Sequence, residues 1–513
     1  MRRLILLLAT VFLAAPANAE WWEARTEHFV IYSKSPEKDA KAFAERLERY
    51  DQSLRSLQLI KPDLRLSDAR KVKIYRSGVG VDIAALAGDS ESGIRGFYIP
   101  RLEPVAFVPA RETIQTRSVL DPETVLKHEY AHHFMYRYFP GAYPGWYIEG
   151  LAETYATIEF KPDGSFHLGN PPQYRGDELV GKYRQALGYS VRRMLLSTAE
   201  PTDADAYARY SYGWLFTHYM TFEPSRKGQL LAYLRLLDDG VQPPDAAKRA
   251  FGDIDKLEGE VSRYKNGNRF LGADVRIANY RPPVVTMRRM TPDEESIMPM
   301  VILTKRGGSP KEAKGVAGDA RAVAAKYPAS YAVQLELAEA ELDAENLNAA
   351  DRASDAALAL SPDSPEALTF KGQVALARGK NDPKQYQVAR SWFAKAYDAD
   401  SDRPGPLLGN YLSYSKAGGT VPESAVIALE HAYRLAPHND DLRIVLARQE
   451  LVEKRLDVAK MLLVPLALSP HESKRAQAMN DVVVQIDAAN RDAAIAKLDG
   501  WTKKVEEDKK KGG

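Results

Sequence analysis

Cysteine is absent from all 513 residues of the chain. Without a thiol there is neither a disulfide framework nor a cysteine to carry a lipid, so we expect a fold stabilised by packing alone. An excess of one charge sign is also missing, because 71 Lys and Arg stand against 69 Asp and Glu. A nearly neutral chain with no basic face argues against nucleic acid as a partner.

Long hydrophobic runs are missing as well, except at the amino terminus. The stretch "MRRLILLLATVFLAAPANA" has two arginines, an apolar run from Leu4 to Ala15, and small residues at Ala17 and Ala19. This is the pattern of a secretory signal peptide over residues 1–19, cleaved at its end. A run of about 12 residues is too short for a membrane anchor, which needs about 20. We therefore expect an exported, soluble bacterial protein, periplasmic or secreted, with no stable membrane span after cleavage.

Residues 20–117 mix strands with a helix, as in a small α+β unit. "HFVIYS" (28–33) and "KVKIYRS" (71–77) predict strands, and residues 39–57 predict an amphipathic helix. "GFYIPRLEPVAFVP" (96–109) contains two prolines, which central strands exclude. We therefore expect this stretch to form an exposed edge of the sheet or a hairpin.

Residues 118–264 are predicted to be mostly helical. Asp121 followed by proline is a strong helix start, and the helix should run to about Tyr138, where "FPGAYPG" ends it. A second helix should begin near Pro144. Residues 265–310 are rich in proline, glycine and charge, and we expect a linker there with short strands such as "MPMVIL".

Helices recur in the last part of the chain. Alanine-rich helices end at spaced prolines, the first two of which are 34 residues apart: Pro328, Pro362, Pro437 and Pro470. This is the period of tetratricopeptide repeats, so we expect an all-α superhelix of that type over residues 311–500. The alternative is an unrelated helical bundle. Residues 501–513 are a charged tail, expected to be disordered.

The five residues "HEYAH" match the pattern HExxH. His128 and His132 lie four residues apart, so on a helix both imidazoles share one face and can reach one metal ion. Glu129 lies in the same turn, where a carboxylate can take a proton from water, and the pattern thus predicts two zinc ligands and a general base. The pattern arises by chance in about one chain in a hundred, so a third ligand is needed.

Glu149 is the predicted third ligand. It lies on the second helix, which the proline and glycine turn folds back onto the first, and two histidines with one glutamate are a known catalytic zinc set. Glu153, one turn further on, is placed to hold a ligand histidine by its other ring nitrogen. Solvated glutamates, the alternative, fit poorly in the mostly apolar "GWYIEGLAETYATI". His133 is rotated about 100° from its neighbour and, like His218, is expected to pack rather than to bind metal.

These residues carry a family resemblance. "HEYAHHF" followed by "WYIEGLAETYA" resembles the gluzincin clan of zinc peptidases and is most similar to the peptidase-MA-like proteins of bacteria, which often carry tetratricopeptide repeats. The resemblance covers roughly residues 21–264 and implies a zincin-like α+β catalytic unit. It also implies a single Zn²⁺ held by His128, His132 and Glu149, with Glu129 as the base.

A further segment, "RYSYGWLFTHY", resembles the part of the aminopeptidase N branch that supplies an oxyanion-stabilising tyrosine. Tyr210 stands in the tyrosine position and Tyr212 where that branch has a lysine. A tyrosine hydroxyl can donate to an oxyanion, but a structural use of either tyrosine is equally open. The G-x-M-E-N stretch that binds a substrate amino terminus is replaced by "GFYIPRLEP", so the resemblance does not imply aminopeptidase specificity. An edge strand there could instead align an extended peptide for an endopeptidase.

Three hypotheses follow. The first is an exported zinc metallopeptidase, an endopeptidase that acts on a peptide or protein substrate. The second is a catalytically silent zincin-like unit in a tetratricopeptide scaffold whose concave repeat surface binds a protein partner. The third is a zinc hydrolase whose substrate is not a peptide, since a shared site does not fix the substrate.

Overall fold

The computed structural model describes residues 20–61, 66–88, 96–111, 121–179, 189–197, 203–267, 269–278, 280–469 and 473–511. The predicted signal peptide, residues 1–19, lies outside these ranges. Within them, no helix is both long enough and apolar enough to cross a membrane.

The strands of the described residues form two sheets. They are β1 Trp21–Arg25, β2 Phe29–Lys34, β3 Val72–Arg76, β4 Phe97–Ile99, β5 Val105–Val108, β6 Glu159–Phe160, β7 Phe166–Leu168, β8 Ala273–Val275 and β9 Thr286–Arg289. The larger sheet has the order β4-β5-β3-β2-β1-β9, and β6, β7 and β8 form the smaller one. Strands β2, β3 and β5 are parallel, whereas β4, β1 and β9 pair antiparallel. The predicted strands at 28–33 and 71–77 are confirmed, and residues 96–109 hold the predicted hairpin, with β4 at the sheet edge.

Helices dominate the chain after β5, in the order that the sequence predicts. The helices before residue 270 are α1 Glu37–Gln58, α2 Gly80–Leu86, α3 Pro122–Tyr138, α4 Gly145–Ala156, α5 Gly176–Leu179, α6 Val191–Leu196, α7 Asp203–Phe222, α8 Gln229–Asp238, α9 Pro243–Phe251 and α10 Ile254–Lys265. Helix α1 connects the parallel strands β2 and β3. Helix α2 was not foreseen, because only α1 has a long amphipathic pattern in this region.

The remaining helices stack along the second half of the chain. They are α11 Pro292–Arg306, α12 Pro310–Lys326, α13 Tyr331–Asp343, α14 Leu347–Leu360, α15 Pro365–Arg378, α16 Gln385–Ala399, α17 Pro404–Ser415, α18 Glu423–Leu435, α19 Asp440–Val452, α20 Leu456–Ala467, α21 Ser473–Asp487 and α22 Arg491–Lys511. Each packs against the next, and α15 also packs against α13 and α17. This stacking of helix pairs is consistent with tetratricopeptide-like repeats. Pro328, Pro362 and Pro437 follow helix ends as predicted, while Pro470 lies outside the described residues.

The segment predicted as a linker takes part in the fold. It holds the short strands β8 and β9, and β9 forms the far edge of the large sheet by pairing with β1. The strand predicted for "MPMVIL" is wrong, because these residues lie in α11. That helix starts upstream, where Thr291 and Glu294 form a capping box around Pro292, and it continues through Pro299.

The disordered tail predicted for residues 501–513 is also wrong as far as the chain is described. Helix α22 continues through its charged end to Lys511. Lysine and glutamate are good helix formers, and Lys503 lies 4.0 Å from Glu507 one turn away. Composition alone therefore overstated the tendency of this end to unfold.

Alternate residues of the large sheet face two different cores. Ile74 and Ala106 pack with α1 and α3 in one core. Tyr75, Val105 and Phe107 point the other way, toward α2 and α11. Because side chains alternate along a strand, α1 and α3 pack on one face of the sheet, and α2 and α11 pack on the other.

Candidate metal centre

Helix α3 carries the HExxH motif and is fixed at its start by local signals. Asp121 accepts a hydrogen bond from the Thr124 amide at 3.1 Å, and Pro122 occupies the first helical position, where no amide donor is needed. The helix ends at the proline and glycine segment 139–144. Helix α4 then folds back and packs against α3, so the two motif segments face each other.

Three buried side chains meet between α3 and α4. Nε2 of His128 lies 3.1 Å from Nε2 of His132 and 3.2 Å from Oε2 of Glu149. Nε2 of His132 lies 3.5 Å from the same oxygen. Glu149 is 0% exposed, and His128 and His132 are 9% and 6% exposed. The three predicted ligands therefore aim their donor atoms at one point that bulk water hardly reaches.

The size of this donor triangle fits a tetrahedral zinc ion. With zinc–ligand distances of about 2.0–2.1 Å, two ligands of a tetrahedron lie about 3.3 Å apart. The sides of the triangle are 3.1, 3.2 and 3.5 Å. Calcium and magnesium prefer six or more oxygen ligands, whereas two of these donors are nitrogens. The donor set thus fits zinc and leaves the fourth corner of a tetrahedron for water or substrate.

Carboxylates set the electrostatics of the site. Burial alone would lower the pKa of His128, but the hydrogen bond with Glu149 and the charges of Glu153, Glu149 and Glu129 outweigh it and raise the pKa to about 9. Several negative charges around one imidazole favour a positive charge at this position. Either a proton or a metal ion can supply this positive charge.

Glu153 lies beside the ring nitrogen of His128 that does not face the donor triangle. Its Oε1 lies 3.7 Å from Nδ1 of His128, on the opposite side of the ring from the donor atom. Glu153 is 1% exposed and accepts hydrogen bonds from the Tyr174 hydroxyl at 2.5 Å and from Nε of Arg175 at 2.9 Å. A carboxylate in this place orients the imidazole. Sequence reasoning missed Tyr174 and Arg175, because "PPQYRG" shows only a turn.

Glu129 and Tyr210 lie close to the donor atoms. Glu129 is half-buried, and its charge contributes to the raised pKa values of both His128 and Tyr210. The Tyr210 ring centroid lies 6.2 Å from that of His128, and the Arg175 guanidinium lies 4.6 Å over the Tyr210 ring. Burial and the neighbouring carboxylates hold the pKa of Tyr210 well above its usual value, so its hydroxyl keeps its proton and can donate.

A contact between glycines brings α7 close to α4. A Cβ on Gly150 would lie 2.5 Å from Oγ1 of Thr217 and closer still to the carbonyl oxygen of Gly213, and a Cβ on Gly213 would press on the backbone of α4. Only glycine permits so close an approach of the two backbones. Gly150 follows the ligand Glu149 directly, so this contact positions Tyr210 of α7 relative to the donor triangle.

The other histidines of the region have packing roles. Nδ1 of His133 lies 2.7 Å from the Tyr98 hydroxyl, so its ring packs against β4. His218 donates from Nε2 to the Gly169 carbonyl at 2.9 Å. Tyr212, at the position of the family's lysine, contacts other aromatic and basic side chains rather than the donor triangle.

A second histidine–carboxylate group lies between α1 and α3. Nδ1 of His28 is 2.6 Å from Glu48 and 3.2 Å from Asp51. Asp51 also accepts from Arg55 at 2.5 Å and from the Tyr130 hydroxyl at 2.7 Å. Positive and negative groups already pair in this network, so we assign it to anchoring α3 on α1 rather than to metal binding.

Comparisons with known proteins add little to this geometry. No family model matches the chain, and no curated protein matches it. A solved structure from a study of pilF of Pseudomonas aeruginosa is similar to part of it, with 16% sequence identity and a TM-score of 0.32. That match covers 42% of this chain and 91% of the other. Any inference about the chemistry of the site therefore comes from the arrangement of its donor atoms.

Proposed function

We propose that the chain is an exported zinc-dependent metallopeptidase of the gluzincin type, and more specifically an endopeptidase. The observation that carries the proposal is the buried triangle formed by His128, His132 and Glu149. Its composition is that of a catalytic zinc site, and its sides match the ligand separations of one tetrahedral ion.

Each remaining residue has a role that its position allows. His128, His132 and Glu149 would hold the zinc ion, which would supply a Lewis acid and lower the pKa of a water molecule. Glu129 is placed to take the proton of the attacking water and to give it to the leaving amine. Tyr210, which keeps its proton, donates a hydrogen bond to the developing oxyanion. Glu153 holds the ring of His128 in orientation.

Strand β4 supports a peptide as the substrate. It ends the large sheet, so its outer edge pairs with no other strand of the described residues. Tyr98 of β4 contacts His133, which places this edge beside α3. An extended peptide can bind such an edge through main-chain hydrogen bonds, and this suits cleavage within a chain.

The test combines metal analysis with hydrolysis of unfolded casein. The wild type should hold about one zinc per chain, and His132→Ala should lose it. Glu129→Gln should keep the zinc and lose activity by about a hundredfold or more. Glu123→Gln, on the exposed side of the same helix and paired with Arg46, is the matched control and should change neither. A wild type without bound zinc would refute the proposal.

A second candidate is a catalytically silent unit in a protein-binding scaffold. The stacked helices α12 to α22 favour it, because repeats of helix pairs offer extended binding surfaces. Complementation of a gene deletion separates the two candidates. Glu129→Gln restores the function of a scaffold but not that of a peptidase.

A further inference from the structure

A cavity of about 850 Å³ lies between the large sheet and the stacked helices. Ile99 and Val105 of the β4–β5 hairpin and Met298 of α11 line one side, and Phe370 and Leu408 of the stacked helices line the other. Its volume is within the range of about 300–1,000 Å³ that is typical of ligand sites. It lies on the face of the sheet opposite α3, so it is separate from the donor triangle.

Most cations of the cavity wall are already paired. Lys73 and Arg403 both contact Glu103, and Lys305 pairs with Glu339. Asp440 pairs with Arg475, and Arg288 bridges two further glutamates. The wall contains eight aspartates and glutamates against six lysines and arginines, so its carboxylates outnumber its cations.

Glu336 is the exception among these carboxylates. It is 4% exposed, and its Oε1 contacts the Thr304 hydroxyl at 2.6 Å. That hydroxyl has one proton and also lies 2.9 Å from the Met300 carbonyl. No cation of the described residues lies within ion-pair distance of Glu336. Burial, and then the charge of Glu339, raise the pKa of Glu336 to about 8 against the opposing charge of Lys305, so a further cation beside Glu336 would favour its charged form.

Two tyrosine rings also line the cavity. Tyr32 and Tyr75 both line it, and their rings stack at 5.4 Å. The pKa of Tyr75 is raised by burial and by carboxylates that include Glu339 and Glu336, so the ring lies within reach of their field. A guanidinium or ammonium group gains from an aromatic face as well as from a carboxylate. Apolar side chains, including Met298 and Phe370, line the cavity as well.

We propose that this cavity binds an extended peptide segment in which a lysine or arginine is flanked by apolar residues. The basic side chain lies against Glu336 and Glu339, and its apolar neighbours contact Met298 and Phe370. The binding site is composite, because the sheet, α11 and the stacked helices each supply a part. It is separate in space from the metal centre, and its occupant is not the bond being cleaved.

Fluorescence anisotropy with the full-length chain tests the proposal. The probe is a fluorescein-labelled octapeptide of alternating leucine and arginine, in the presence of EDTA so that a metal site cannot cleave it. Glu336→Gln combined with Glu339→Gln should weaken binding at least tenfold. Glu341→Gln is the matched control on the same helix, because its carboxylate pairs with Arg321 and does not line the cavity. His132→Ala should bind as tightly as the wild type.

A second variant, which blocks the cavity sterically, tests the proposal even if the double charge variant fails to fold. Gly405 lines the cavity, and a Cβ there would meet only Thr369, at 3.7 Å, so Gly405→Phe fills the space without touching a carboxylate. It should weaken binding as strongly as the double variant. Equal binding of a leucine–glutamate octapeptide, or full binding by Gly405→Phe, would overturn the proposal. Spermidine that binds as tightly as the peptide would show a polyamine site instead and would also overturn it.

Discussion

Replacing Gly150 by alanine tests whether the close approach of α4 and α7 requires glycine at this contact. The new Cβ would lie 2.5 Å from Oγ1 of Thr217 and closer to the Gly213 carbonyl oxygen, whereas ordinary contacts begin at 3.4 Å. The helices must therefore separate by about 1 Å, and overpacking of this kind costs about 3 kcal/mol when backbone cannot yield. Alanine returns about 1 kcal/mol of helix propensity. We expect the free energy of unfolding to fall by about 2 kcal/mol.

The control is the same substitution in a helix with open space. A Cβ on Gly318 of α12 meets no atom within 4 Å, so Gly318→Ala should raise the free energy of unfolding by about 0.5–1 kcal/mol. Urea unfolding is followed by circular dichroism and by tryptophan fluorescence, since Trp146 and Trp214 lie in the core beside this contact. If Gly150→Ala stabilises the chain as Gly318→Ala does, the assignment of the glycine contact is wrong.

Three further substitutions probe the second half of the chain. Arg403→Met removes a buried cation that pairs with Glu103. It should lower the free energy of unfolding by about 3–5 kcal/mol and make the chain more susceptible to proteolysis where the sheet meets the stacked helices. Burial lowers the pKa of His438 to about 3, and its Nε2 donates to the Arg101 carbonyl. The imidazole of the unfolded chain therefore takes up a proton first, and stability should fall as the pH drops below about 6.5. In His438→Asn, the urea midpoint should change less between pH 7 and pH 5 than it does in the wild type. Phe393→Ala removes a ring that is 1% exposed and leaves a cavity, so the free energy of unfolding measured in urea should fall by about 3–5 kcal/mol.

The hairpin that gathers the donor atoms was predictable because its signals are local. The Asp–Pro helix start, the spacing of His128 and His132 and the proline and glycine turn all act within a few residues. The predicted helix from Pro122 to Tyr138 has the bounds of α3. Glu149 followed from the same hairpin, and the structure brings it to within 3.2 Å of His128.

Features that depend on distant residues had no such signal. Arg175 meets Glu153 and Gly150 meets Gly213 only after the helices pack, and no spacing in the sequence announces either pair. Strand β9 joins the sheet beside β1 although about half of the chain separates them. The wrong strand prediction at "MPMVIL" has a different origin. The capping box that starts α11 is a local signal of a helix, but the apolar and β-branched residues that follow it favoured a strand.

Strand β4 connects the two proposed sites, because its neighbouring residues face opposite sides of the sheet. Tyr98 contacts His133 on α3, and Ile99 lines the cavity. A peptide that shifts β4 must therefore shift Tyr98 against the metal-binding helix, and coupling between two binding sites is reciprocal. The factor by which zinc changes the Kd of the leucine–arginine peptide should equal the factor by which the peptide changes the Kd of zinc. Tyr98→Phe removes the hydroxyl that reaches His133 and should bring both factors toward one while the Kd of the peptide without zinc stays the same. If both factors keep their wild-type values in Tyr98→Phe, the coupling does not pass through β4.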